Sequence, residues 1–96
     1  MGDFELMAKV VVTHSRGLHA RPAQLFTERA QQFKADIKVV KDNINADAKS
    51  MMHMLSLGAG QHSELTIRAK GEDAQEAIDA LVALVKDDFG FKNDEE

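Results

Sequence analysis

The alternation of apolar and polar positions along the chain predicts four short strands. The four alternating segments are 6–13, 36–41, 43–48 and 64–70. Alternation of this kind is typical of a strand that buries one face and exposes the other. Ser15-Arg16-Gly17 breaks the first segment. Asp42-Asn43 is a turn signal, so the second and third strands are predicted to form a hairpin.

A second pattern, with apolar residues three or four positions apart, predicts helices between the strands. The first helix is expected from about Ala20 to about Gln32, with Pro22 in its first turn, where a missing N–H costs nothing. The second is short, covers residues 51–57, has Ser50 as its N-cap and stops at Gly58.

The last apolar stripe predicts a third helix that begins at Asp73 and ends by Gly90. Asp73 and Glu76 have the spacing of a capping box. The resulting order is β-α-β-β-α-β-α. Because each strand is apolar on one face only, all helices should cover the same face of the sheet. The predicted fold is an α+β open-faced sandwich with a four-stranded antiparallel sheet.

Composition indicates one small domain and excludes several functions. The 96 residues, 44% of them hydrophobic, are expected to form a single domain, with 1–6 as an extension and 91–96 as a disordered tail. The absence of cysteine excludes disulfides, thiolate zinc sites and thiol catalysis. A charge of −4 without a basic tract disfavours nucleic-acid binding, and no stretch reaches the ~18 apolar residues of a membrane span. No signal peptide, nucleotide loop or zinc spacing is found, so we expect a cytoplasmic protein with no cofactor and no metal.

Among the four histidines, His19 has the surroundings best suited to phosphate chemistry. It stands where a loop meets the first predicted helix, and a helix start offers N–H groups and a positive dipole end. Arg21 adds a forked, permanently charged donor, and a neutral imidazole is a nucleophile. From these residues alone, a helix-capping His19 beside a solvated Arg21 is the commoner interpretation. His14, His53 and His62 are interpreted as non-catalytic.

Two motifs together make the chain resemble the HPr family. The first is Gly17-Leu18-His19-Ala20-Arg21-Pro22-Ala23; the second comprises Lys49-Ser50-Met51-Met52 and Ser56-Leu57-Gly58. HPr proteins are the histidine-containing phosphocarriers of the bacterial phosphoenolpyruvate:sugar phosphotransferase system, and the similarity extends roughly over residues 7–89. It implies that phosphoenolpyruvate-charged enzyme I phosphorylates His19 at Nδ1, that Arg21 helps to hold the phosphate, and that the IIA domain of a sugar permease receives it. A protein of this kind is a carrier and not an enzyme.

The resemblance also implies that Ser50 is the regulatory serine, phosphorylated in many bacteria by an ATP-dependent HPr kinase. A plain N-cap role for Ser50 is compatible with it. We expect Met51 and Met52 in an exposed patch beside His19, since adaptable methionines suit a protein with several partners. The full set of expected partner-binding residues is Ala20, Gln24, Lys49, Met51, Met52, His53 and Leu55.

One departure from the family leaves the partners open. HPr proteins often have a basic first helix, whereas this chain has Glu28-Arg29-Ala30-Gln31-Gln32; Lys49 and a protonated His53 are expected to compensate. Alternatives to a sugar-system carrier are a carrier in a nitrogen-related or purely regulatory phosphotransfer chain, and a corepressor-type protein that binds a transcriptional regulator when Ser50 is phosphorylated. The presence of His19 counts against the last as the sole role. In every case we expect a monomer.

Overall fold

The computed structural model describes residues 5–90, which contain one open antiparallel sheet. Its strands are β1 (Leu6–Val11), β2 (Asp36–Lys41), β3 (Ile44–Asp47) and β4 (Glu64–Lys70). They lie in the order β1-β4-β2-β3. Central strand β4 places Ala69 opposite Leu6 of β1 and opposite Ile37 of β2. The predicted β2–β3 hairpin is confirmed, with Lys41 opposite Ile44.

Three helices cover one face of this sheet. They are α1 (Ala20–Ala30), α2 (Met51–Ser56) and α3 (Ala74–Lys86), and a short 3-10 turn, Asp88–Gly90, follows α3. The element order and the α+β open-faced architecture agree with the sequence prediction. The boundaries differ by a few residues, since β1, α1 and α2 each end one or two residues earlier than expected.

The core lies between the helices and the inner face of the sheet. Phe26 of α1, Met54 of α2 and Leu81 of α3 are fully buried, as are Leu65 and Ile67 of β4. Burying one such side chain stabilises a fold by about 1.5–3 kcal/mol. Every helix is therefore anchored by at least one large apolar residue, and even the six-residue α2 is held in place.

The predicted capping box at the start of α3 is wrong. The Asp73 side chain makes no capping bond to its own helix. Its two carboxylate oxygens instead accept hydrogen bonds from the backbone N–H groups of Lys34 and Ala35, both at 2.8 Å. These bonds hold the pKa of the Asp73 carboxyl below its ordinary value, with the Lys34 N–H as the larger cause. Asp73 therefore ties α3 to the connection between α1 and β2.

The structure adds detail at both ends of the described chain. Helix α3 stops at Lys86, and Asp88 and Phe89 adopt positive φ angles of 51° and 59° that bury the Phe89 ring. The expected extension, 1–6, is partly structured, because Leu6 starts β1 and Glu5 accepts a 2.9 Å hydrogen bond from Arg68. The remainder of that segment, 1–4, and the predicted tail, 91–96, lie outside the described residues.

Candidate functional site

His19 occupies the N-cap position of α1. Its backbone is extended, with φ −93° and ψ −164°, and its carbonyl accepts the N–H of Ala23 at 2.9 Å. Its imidazole makes no capping hydrogen bond to the helix. The structure therefore excludes the interpretation in which the side chain of His19 serves as a helix cap.

The loop before His19 is fixed to the segment that follows α2. Gly17 has a φ of +70° and donates to the carbonyl of His14 at 2.9 Å. The next N–H, from the buried Leu18, donates to the carbonyl of Ala59 at 2.7 Å. Because these are backbone contacts on both sides of a tight turn, the position of the His19 main chain is well defined.

One edge of the His19 ring is covered by protein. The residue as a whole is half-buried, and its Nε2 atom is enclosed by protein. A phosphoryl donor that approaches from solvent does not reach Nε2 without a movement of the ring. Reaction at Nε2 is therefore blocked in this orientation of the ring.

Arg21 and the first turn of α1 supply positive charge next to His19. Arg21 is exposed, and its guanidinium donates a long 3.4 Å hydrogen bond to Gln24 Oε1. Gln24 is half-buried and donates in turn to Glu28 at 3.1 Å. The first turn contains no acidic residue, and the exposed Ala20 begins it. An anion at this end of the helix would meet the helix dipole and the guanidinium together.

Ser50 is the N-cap of α2, as predicted. Its backbone is extended, and its hydroxyl oxygen accepts the N–H of His53 at 3.3 Å. Helices α1 and α2 run antiparallel, since Gln31 donates to the carbonyl of Lys49 at one end while Leu18 donates to Ala59 at the other. Ser50 therefore lies toward the C-terminal end of α1, and His19 lies at its N-terminal end.

The exposed apolar residues of α2 form a surface that we call the α2 patch, made of Met52 and Leu55 with the half-buried Met51 at its edge. Met52 is 81% exposed and Leu55 is 40% exposed, whereas Met54 faces the core. Met51 and Met52 both lie in the first turn of α2, directly after Ser50. Leu55 lies one turn later in the same helix.

Two expected partner-binding residues already have structural contacts. The ammonium group of Lys49 is half-buried and donates to the carbonyl of Phe33 at 2.7 Å, which caps the connection after α1. The ring of His53 is exposed, and its Nδ1 accepts the N–H of Asp47 at 3.3 Å. Both groups thus support the start of α2, and neither extends away from the protein as an isolated charge.

The structure adds His14 to the site, which the sequence interpretation had set aside. His14 is buried, with 4% of its surface exposed, and its ring centroid lies 5.7 Å from that of His19. A signal for this was present in the sequence, because His14 continues the alternation of the buried Val10 and Val12.

Across residues 5–90, no group of three or more histidine or acidic side chains is placed to hold a metal ion. No helix in that part of the chain is long and apolar enough to cross a membrane.

Comparison with known proteins assigns the family. The model of the phosphorylation-site region of the phosphotransferase-system HPr component matches residues 6–87. The chain belongs to the HPr family. The HPr-like protein Crh of Bacillus subtilis is 42% identical over 80 residues, which are 83% of this chain and 94% of Crh. The phosphocarrier protein HPr of Vibrio cholerae is 42% identical over 77 residues, which are 80% of this chain and 91% of that HPr.

Solved HPr structures have the same fold. HPr from Thermoanaerobacter tengcongensis has a TM-score of 0.88 and 41% identity, and the match covers 91% of this chain and 98% of that one. Crystalline Crh from Bacillus subtilis has a TM-score of 0.70 and 42% identity, covering 84% and 93%, and is described as an intertwined dimer with a swapped domain. The chain is thus a member of the HPr phosphocarrier family, and some proteins of this family form dimers.

Proposed function

We propose that the protein accepts a phosphoryl group on Nδ1 of His19 from phosphoenolpyruvate-charged enzyme I and passes it to the IIA domain of a sugar permease. One observation carries this proposal above the others: His19 stands at the start of α1 with a side chain that does not cap the helix and an enclosed Nε2. Membership of the HPr family supports the same assignment.

The chemistry needs little from the carrier beyond position and charge. In the first transfer the P–N bond to the donor histidine breaks as a bond from phosphorus to Nδ1 of His19 forms. In the second transfer that new bond breaks as phosphorus bonds to the acceptor histidine. Arg21 and the N–H groups at the start of α1 stabilise the phosphate oxygens. Docking of the two proteins aligns the reacting atoms, which is where most of the rate acceleration arises. Stabilisation at an exposed site is moderate, so the group can leave again.

Labelling with enzyme I and phosphoenolpyruvate tests the acceptor. We expect one phosphate that is labile in acid and stable in base, and none in His19→Ala. His62→Asn is the matched control, because His62 is an exposed histidine with φ 76°, a conformation that asparagine tolerates. Labelling retained in His19→Ala, or lost in His62→Asn, contradicts the assignment.

We also propose that Ser50 is a site of regulatory phosphorylation by an HPr kinase. Its hydroxyl lies at the start of α2, where added negative charge is compatible with the helix dipole. Incubation with the kinase and ATP should add one acid-stable phosphate, detected by mass spectrometry, and Ser50→Ala should abolish it. Ser56→Ala is the control, since the Ser56 hydroxyl belongs to the same helix and donates to the His53 carbonyl at 2.6 Å. Absence of a mass shift with active kinase would leave Ser50 as an N-cap only.

A second candidate function is regulatory binding, favoured by the similarity to Crh, which is described as the catabolite repression HPr of Bacillus subtilis. In this form the Ser50-phosphorylated protein would bind a transcriptional regulator as a corepressor. A carrier in a nitrogen-related or purely regulatory phosphotransfer chain is the third candidate. Calorimetric binding of the Ser50-phosphorylated His19→Ala variant to such a regulator would establish the second role independently of phosphoryl transfer.

We further propose that the chain is a single-domain cytoplasmic monomer that docks its partners through the start of α1 and the α2 patch. Ala20, Gln24 and the α2 patch are exposed or half-buried on the helical side of the sheet. Sedimentation velocity across a concentration series tests the monomer. A concentration-dependent shift to twice the mass would instead place the protein with its dimeric relative.

A further inference from the structure

His14 is one of the two buried polar residues within the described chain, together with Thr27. Thr27 satisfies its hydroxyl on the carbonyl of Gln24 within α1 at 3.0 Å, so it is explained by its own helix. His14 belongs to no helix and lies just beyond β1, in line with the inward-facing side chains of that strand. A buried imidazole at such a position needs a reason that the fold alone does not supply, since a small apolar residue would continue the strand pattern.

The protonation state of His14 follows from its hydrogen bond. Its Nδ1 lies 3.1 Å from the backbone nitrogen of Arg16 and accepts that N–H. A nitrogen that accepts a hydrogen bond carries no proton, so His14 is neutral and its proton is on Nε2. The bond spans two residues of the loop that leads to His19. It fixes the orientation of the His14 ring relative to this loop.

The His14 ring in turn lies against His19. The ring centroids are 5.7 Å apart and the planes are inclined by 53°, within the range of packed aromatic pairs. The enclosed Nε2 of His19 shows that one edge of that ring is covered by protein. A rigid neighbour at this distance restricts the side-chain torsions of His19, and restriction of a nucleophile raises its reactivity by holding it near the attacking geometry.

We propose that His14 is a positioning residue for His19, whose buried neutral ring holds the His19 imidazole with Nε2 inward and thereby selects Nδ1 as the phosphoacceptor. The inference rests on the proposed function for its chemical step, while the ring placement is measurable without it. In that step Nδ1 attacks phosphorus and the bond to the donor histidine breaks. Attack by Nδ1 requires its lone pair, so the ring proton of His19 is on Nε2 in this step and stays there, and His14 neither gives nor takes a proton.

Three substitutions separate the ring of His14 from its hydrogen bond. His14→Ala removes both. His14→Asn retains an acceptor for the Arg16 N–H without a ring, and His14→Phe retains a ring without an acceptor. The phenylalanine variant therefore leaves the Arg16 N–H without its present acceptor. Backbone amide spectra establish which variants keep the fold, and His62→Asn is the control for loss of a histidine elsewhere.

The first readout is nitrogen NMR of the His19 ring, which needs no partner protein. In the wild type we expect the tautomer protonated on Nε2 and a single side-chain rotamer. In His14→Ala and His14→Asn we expect a mixture of tautomers and rotamers, while His14→Phe resembles the wild type. A His19 ring that already averages between rotamers in the wild type overturns the proposal, even if no variant folds.

The second readout is the product of phosphorylation by enzyme I, analysed by phosphorus NMR. We expect Nδ1-phosphohistidine alone in the wild type and in His14→Phe. In His14→Ala the initial rate should fall roughly ten- to a hundredfold, with part of the phosphate on Nε2. An unchanged rate with only the Nδ1 product in His14→Ala overturns the proposal, as does His14→Asn behaving like the wild type. If enzyme I fails to label even the wild type, the carrier function fails, and the nitrogen spectra still decide the role of His14.

Discussion

Replacement of Gly17 by alanine should disturb the phosphoacceptor loop more than any comparable glycine change. Gly17 has a φ of +70°, and a Cβ atom added there would lie 2.5 Å from the carbonyl oxygen of Ala59 and 2.6 Å from Cα of Gly60. Both are backbone atoms, so neither can rotate out of the way. The same Ala59 oxygen accepts the N–H of Leu18, the residue directly before His19.

The expected loss of stability is the sum of two terms. A left-handed backbone costs a residue other than glycine about 1–2 kcal/mol. Forcing an additional methyl group into filled space costs about 1–3 kcal/mol. Gly17→Ala should therefore lower the free energy of unfolding by about 2–5 kcal/mol, a large share of the about 5–15 kcal/mol of a small domain.

Gly58→Ala isolates the first of these terms. Gly58 has a similar φ of +60°, and a Cβ added there meets nothing within 4 Å. It should lose only about 1–2 kcal/mol, and urea unfolding of both variants measures the difference. Enzyme I labelling at low denaturant should be slower for Gly17→Ala than for Gly58→Ala. Equal unfolding free energies for the two variants would show that the loop has room to move and would refute the reasoning.

Two further predictions concern the core and the hydrogen bonds from Asp73 to the connection between α1 and β2. Met54→Ala should lower the free energy of unfolding by about 2–5 kcal/mol because Met54 is fully buried, whereas Met52→Ala should change it by less than about 0.5 kcal/mol; urea unfolding compares them, and equal losses would contradict the burial. The pKa of Asp73 is lowered in the folded protein by the Lys34 N–H, so its stabilisation is present above the ordinary value of 3.8 and is lost as the pH falls through the folded value. The unfolding temperature of Asp73→Asn should therefore depend less on pH in the acid range than that of the wild type. The same pH dependence in both proteins would contradict a stabilising role of the Asp73 carboxylate.

The strands and the fold class were predictable because they depend on a local alternation of apolar and polar residues, and the apolar residues are buried in the core. Val10, Ile37 and Leu65 are buried on the phase that the sequence indicates. The error at Asp73 has a definite physical cause. Its spacing to Glu76 is a local signal for a capping box. In the structure its carboxylate instead accepts the backbone N–H groups of Lys34 and Ala35, which precede it in the sequence by 39 and 38 positions.

The candidate site was predictable at its centre and not in its surroundings. The helix-start motif places His19 and Arg21 together at the start of α1, since both belong to one local segment. The contact between His14 and His19 depends on a loop path that the Leu18–Ala59 hydrogen bond fixes, and no local pattern contains it. The contact of Lys49 with the Phe33 carbonyl is of the same kind.

The antiparallel arrangement of α1 and α2 limits how a phosphate on Ser50 could affect His19. The two residues lie toward opposite ends of α1, whose 11 residues extend over about 16 Å. At physiological ionic strength the Debye length is about 8 Å, so direct repulsion between exposed phosphates at opposite ends of α1 is weakened by screening. Met52 and Leu55 follow Ser50 along α2 toward the His19 loop, and a docking protein that covers them approaches both sites. Phosphorylation of Ser50 should therefore act by weakening docking to the α2 patch, with little change in the intrinsic stability of phosphate on His19.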